Sequence, residues 1–113
     1  VGKFVVGNIV VVAFPFSDLS DKKLRPALIV AQAEFNNLIL CQITSKPYTS
    51  KKAIQINKAD FSKGSLPIVS YARPDKLFTA EPIIVERVAG TLDAVPLKFI
   101  LQHIKDQFSP TGL

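Results

Sequence analysis

The chain has 113 residues, 48% of them hydrophobic, with a formal net charge of +5 and one cysteine. This is the size and composition of one ordinary domain that buries a core without metals or disulfides. A lone cysteine rules out an internal disulfide framework and fits a reducing, cytoplasmic setting. No apolar run approaches the roughly 20 residues needed to cross a bilayer, and the N-terminal residues lack a signal-peptide layout.

Gly7-Asn8 is a turn signal, and the β-branched run from Ile9 to Phe14 reads as a buried strand that ends at Pro15. A polar loop follows over 16–24. Pro26 to Gln32 is a second strand and Leu38 to Thr44 a third, joined by a turn at Glu34-Phe35-Asn36-Asn37. Such a hairpin is antiparallel, so Arg25 at the start of one strand lies near Thr44 at the end of the other. Residues 46–52 are loop. Ala53 to Asn57 alternates with period two, as a half-exposed strand does. Ser62-Lys63-Gly64-Ser65 reads as a turn. Pro67 to Ala72 and Ile83 to Val88 are further strands, and Ala89-Gly90 reads as punctuation.

The period then changes. Leu97, Ile100, Leu101, Ile104 and Phe108 follow helical spacing and form one apolar face, with Pro96 in the first turn. Phe99 falls on the opposite side, either as an exposed aromatic or as a contact with another subunit. Short, closely spaced strands and one terminal helix predict a mainly β fold, a small and strongly bent barrel. No repeat or linker divides the chain, so residues 1–113 are expected to form a single domain.

The net positive charge favours an anionic partner such as nucleic acid, an acidic protein segment or a membrane surface. Several common active-site patterns are absent: there is no Gly-rich phosphate loop, no HExxH and no Cys/His metal spacing. His103, the single histidine, lies off the centre of the helix's apolar stripe. Cys41 lies inside an apolar run and reads as a buried, inert thiol. A Ser-His-Asp triad and a histidine-ligated zinc are therefore not expected. RNA cleavage can still run in such a site, because RNA carries its own nucleophile, the 2′-hydroxyl. That attack needs positioning, proton transfer and charge stabilisation at the phosphate. A guanidinium fork is the side chain best matched to a phosphate, and a neighbouring hydroxyl can hold one of its oxygens.

Several segments, taken in order, resemble the MazF/PemK family, the toxin half of type II toxin–antitoxin modules. They are residues 7–18, Arg25-Pro26-Ala27-Leu28-Ile29-Val30, Gln42-Ile43-Thr44-Ser45, residues 71–79 and Gly90-Thr91-Leu92. The resemblance implies an SH3-like barrel of the MazF/CcdB toxin type, usually homodimeric. It also implies a metal-independent endoribonuclease that needs no cofactor, cuts single-stranded RNA and is neutralised by a cognate antitoxin. By the same resemblance Arg25 matches the family's catalytic arginine and Thr44, with Ser45, its catalytic hydroxyl position. Phe16, Asp18, Lys22, Lys23, Arg73 and Lys76 become candidate RNA contacts.

Each of these residues also has a plainer reading. Arg25 can pair with Asp18 or Asp21 on the surface, Thr44 can be an ordinary strand threonine, Arg73 can pair with Asp75, and Phe16 can belong to the core. The first loop, Ser17-Asp18-Leu19-Ser20-Asp21, lacks the Gly-Ser-Glu-Gln stretch of many MazF-like members, and Leu24 stands where a second basic residue often precedes the arginine. Two rival functions share these features: a gyrase-targeting inhibitor on the same barrel, and a barrel that binds RNA without cutting it.

Overall fold

The computed structural model describes residues 3–15, 22–46 and 51–109, with the backbone alone at residues 14, 15 and 22. Seven strands form one antiparallel sheet: β1 (Asn8–Pro15), β2 (Lys22–Gln32), β3 (Leu38–Thr44), β4 (Ile54–Ile56), β5 (Phe61–Gly64), β6 (Ser70–Ala80) and β7 (Val85–Leu92). Their order across the sheet is β4-β6-β3-β2-β1-β7-β5. One helix, α1 (Ala94–Asp106), follows β7.

The sheet buries both faces along its middle, which explains the unbroken β-branched run in β1. Side chains alternate along a strand, so Ile9 enters one apolar cluster with Leu28, Cys41, Ile43 and the helix residues Ile100 and Ile104. Val10 and Val12 enter the other with Ala27, Ile29, Leu38 and Leu40. A flat sheet with one helix covers only one face. Here the sheet curls, so that Phe78, Ala80, Ile84 and Val85 close over the second cluster.

Several expected boundaries move. The second strand begins at Lys22 rather than Pro26, because the β1–β2 ladder continues past the core to Pro15 opposite Lys22. Lys23, Leu24 and Arg25 are exposed, and an exposed strand arm has the composition of a loop. The turn expected at residues 62–65 is instead β5, and the punctuation at Ala89-Gly90 lies inside β7. The two glycines face one another: Gly64 pairs with Gly90, and Gly64 has a φ of +68°, a backbone shape that glycine adopts without strain. The expected strand 67–72 starts at Ser70 and runs on to Ala80. Residues 82–84 form a short 3-10 turn, and β7 starts after it at Val85.

The hairpin turn falls at Glu34–Asn36 as expected, with Phe35 and Asn36 at φ near +60°. In α1, Pro96 sits in the first turn, and Ile100 and Ile104 are buried. Phe108 departs from expectation: it lies beyond the helix end and is 68% exposed. Phe99 is exposed on the outer side, its ring centroid 4.3 Å from that of His103.

Candidate active site

The paired register of β2 and β3 runs from Gln32 opposite Leu38 to Ala27 opposite Gln42. Continued by two residues, it sets Arg25 opposite Thr44, both still within their strands. Arg25 also pairs with Val12 of β1, so Arg25 and Thr44 project from the sheet face that carries Val12 and Ala27. Arg25 is exposed and Thr44 half-buried. The Thr44 hydroxyl accepts a hydrogen bond from the backbone N–H of Lys46 at 3.1 Å. This fixes the hydroxyl and leaves its proton to donate elsewhere.

Tyr71 extends the row. It pairs with Thr44 on one side and with Gln55 of β4 on the other. Arg25, Thr44, Tyr71 and Gln55 thus lie in line across four strands, and all four can hydrogen-bond an anionic ligand.

Ser45 lies one residue further, on the other face. There it lines a groove of about 480 Å³ together with Lys23, Leu24, Arg25 and Arg87. The floor is apolar, from Val11, Pro26, Ile43 and Leu66, and the buried Ser70 borders it. Arg25 is at the rim shared by the groove and the Thr44 row. A cationic rim over an apolar floor is suited to phosphates above and sugar or base surfaces below.

Arg73 lies elsewhere. Between Ala72 opposite Ile43 and Leu77 opposite Cys41 the β3–β6 register shifts, and Arg73, Pro74, Asp75 and Lys76 bulge from the ladder. Arg73 donates two hydrogen bonds to the Asp75 carboxylate, at 3.1 and 3.0 Å. Its guanidinium holds the Asp75 carboxyl below the usual carboxylate range. Of the two roles that the sequence leaves open for Arg73, the ion pair is present. Lys76 is exposed beside it. Lys22 is placed by its backbone at the start of β2, and Phe16 and Asp18, with the alternative partner Asp21, lie outside the described residues. Cys41 is fully buried, and burial pushes its thiol up to about 12, far from nucleophilic chemistry.

Arg87 is the groove residue that the sequence reading passes over. It sits in mid-strand, distant in sequence from Arg25, and reaches the site because β7 pairs with β1, Val11 opposite Arg87. A charged pair, Glu86-Arg87, between Val85 and Val88 is the one local sign of it. Among the described residues, no three of His, Cys, Asp and Glu cluster closely enough to hold a metal ion. None of their helices is long and apolar enough to cross a membrane.

Solved structures share this architecture. An endoribonuclease in complex with its cognate antitoxin, from a mycobacterial species, superposes with a TM-score of 0.70 at 12% identity, over 94% of this chain and 93% of that one. A second mycobacterial endoribonuclease gives 0.66 at 15% identity, over 90% and 88% of the two chains. The Mycobacterium tuberculosis toxin MazF-mt6 gives 0.67 at 19%, over 89% and 95%. At these identities the likeness is one of fold. A search of curated proteins by sequence finds no match. The family model for PemK-like, MazF-like toxins of type II toxin–antitoxin systems matches residues 6–108. With nearly all of its length matched, the chain belongs to the PemK-like, MazF-like toxin family.

Proposed function

We propose that this toxin-family chain is a sequence-selective endoribonuclease that cuts single-stranded messenger RNA and so arrests growth. The observation that carries the reading is the placement of Arg25 opposite Thr44 at the exposed end of two paired strands. Membership of the toxin family and the fold shared with two endoribonucleases support it.

In this reading the RNA's own 2′-oxygen attacks the adjacent phosphorus. The new O–P bond closes a 2′,3′-cyclic phosphate, and the P–O5′ bond breaks. The 2′-hydroxyl gives up its proton, and the departing 5′-oxygen gains one, leaving a 5′-hydroxyl end. Charge builds on the phosphate oxygens as the fifth bond forms. Arg25 meets that charge with a planar fork of N–H donors. The hydroxyl of Thr44 donates to a phosphate oxygen, while Ser45 contacts the bound strand from the groove face. A guanidinium does not deprotonate in proteins, so Arg25 stabilises charge and the proton acceptor is another group. DNA lacks the 2′-hydroxyl and is spared. Lys22, Lys23 and Lys76 bind along the strand, with Phe16 and Asp18 as further contacts, while Arg73 holds the bulge through Asp75.

A cognate antitoxin with an acidic segment is the regulatory partner, attracted by the +5 charge. The reading places the chain in the cytoplasm as a homodimer, with the exposed Phe99 available to a second copy.

The test is cleavage of a long unstructured RNA in EDTA by the parent and by Arg25→Ala, with fragment ends assayed for 5′-hydroxyl. Discrete cuts by the parent and a loss of about 10²–10³-fold or more in the variant are expected, the usual scale for removing an oxyanion donor. Equal cutting by both proteins would sink the assignment. Binding without cutting by either would favour the RNA-binding barrel, and growth arrest with intact RNA and broken chromosomes the gyrase-directed reading.

A further inference from the structure

We infer that Arg87 is a second phosphate-binding residue of the groove, and that the apolar floor between it and Arg25 seats the nucleotide next to the cut. This rests on the ribonuclease reading for its chemistry, but its geometry stands on separate observations.

The first is register. Arg87 pairs with Val11, and Val11 pairs with Pro26, next to Arg25. The β2–β3 register, continued by one residue, sets Pro26 opposite Ile43. Arg87, Val11, Pro26 and Ile43 therefore share one face across four adjacent strands. At roughly 4.8 Å between strands, the backbone of Arg87 is about 10 Å from that of Pro26. Arg25, next to Pro26, starts from the other face and reaches the groove at its rim, so the two arginines bracket the floor at a spacing suited to neighbouring phosphates of an extended strand.

The second is what lies between them. Val11, Pro26, Ile43 and Leu66 offer no side-chain hydrogen bond, so a ribose or base resting there gains apolar contact without being read by its edge. Specificity would then come from elsewhere, and this subsite would serve affinity.

The third is the state of the guanidinium. Arg73 is engaged by Asp75, whereas no carboxylate among the described residues lies in ion-pair range of Arg87. Glu86, its sequence neighbour, is the extra residue where the β1–β7 register shifts, and it makes no ion pair with Arg87. Arg87 is exposed over the groove, and its charge is available to a ligand.

The test compares the parent, Arg87→Gln, Arg87→Lys and a control, Lys98→Gln, which removes one exposed charge from the helix. Binding of mixed-sequence 2′-O-methyl single-stranded RNA, whose blocked 2′-oxygen cannot attack, is followed by fluorescence anisotropy across a salt series. Cleavage is followed separately as KM and kcat. Arg87→Gln is expected to weaken binding about tenfold and to reduce the slope of log K against log salt by about 0.7, the value for one phosphate on a single strand. Its cleavage defect should fall mainly in KM. Arg87→Lys should recover most of the binding, and Lys98→Gln should leave the slope where it was.

An unchanged slope in Arg87→Gln overturns the inference, as does an equal drop in Lys98→Gln. A defect confined to kcat, with binding intact, overturns it as well. If the parent binds RNA but never cuts it, the ribonuclease reading fails, and the salt slopes still decide the role of Arg87.

Discussion

The Cys41 thiol donates to the backbone carbonyl of Arg73 at 3.1 Å, at the point where β6 bulges away from β3. The bulge leaves carbonyls that the ladder does not serve, and a buried thiol satisfies one of them. Burial pushes the Cys41 pKa up to about 12 from an ordinary 9.0. The sign follows from linkage: an acid whose folded pKa is raised contributes stability below its unfolded value and loses it as pH climbs towards the folded one. Between about pH 9 and pH 12 the protein should lose stability through Cys41, and Cys41→Ala should flatten that part of the profile. The native thiol should also ignore a thiol reagent at about pH 8 and react when denaturant opens the core. Rapid labelling of the folded protein would contradict this picture.

Asp75 should matter to stability through Arg73. The Arg73 side chain is 11% exposed, while that of Asp75 is 43% exposed, so solvent screens the pair on one side only. Asp75→Asn keeps the shape but removes a carboxylate charge from beside a mostly buried guanidinium. A loss of about 1–2 kcal/mol in urea unfolding near neutral pH is expected. The Asp75 pKa is lowered from 3.8, so this stability is present above that value and lost as pH falls below it. The difference between parent and Asp75→Asn should therefore close in acid, and a gap that persists below the folded pKa would refute the ionic account.

Gly90→Ala should destabilise the β5–β7 edge. A Cβ there would stand 2.6 Å from the Lys63 carbonyl oxygen and 2.7 Å from the Phe61 ring, and the carbonyl belongs to a paired strand with little freedom to move. About 1–3 kcal/mol is expected, as for other overpacked sites. A melting temperature equal to the parent's would show that the edge strand yields.

Ile100 and Phe99 are neighbours on α1 with opposite expectations. Ile100 is 1% exposed and Phe99 55% exposed. Ile100→Ala opens a cavity under the helix and should cost about 2–5 kcal/mol. Phe99→Ala should change the stability of the isolated chain by less than about 0.5 kcal/mol. If Phe99 meets a second copy, sedimentation of the same variant should show weakened self-association, and unchanged sedimentation would remove it from the interface.

Much of this was legible from local pattern. The β-branched run of β1, the hairpin turn at Glu34–Asn36 and the helical spacing of Leu97, Ile100 and Ile104 each depend on nearby residues, and each appears as expected. The closeness of Arg25 and Thr44 followed from one short turn. What escaped depends on distant pairing. Gly64 and Gly90 look like turn signals one at a time, and their meaning emerges when β5 lies against β7. The bulge at Arg73 to Lys76 has one local mark, Pro74, which cannot donate to a ladder, but its place in the register is set by how β6 fits β3. Arg87 is hidden from local pattern for the same reason: its neighbour in space, Val11, is far away in the chain.

The groove's cations come from opposite ends of the sequence, Lys23 and Arg25 early and Arg87 late. A ribosome making this protein exposes the first pair long before the last. Until β7 has emerged and paired with β1, no single stretch of the growing polypeptide carries all of these cations. The groove is therefore completed only late in synthesis, by the slow closing of a non-local strand pair.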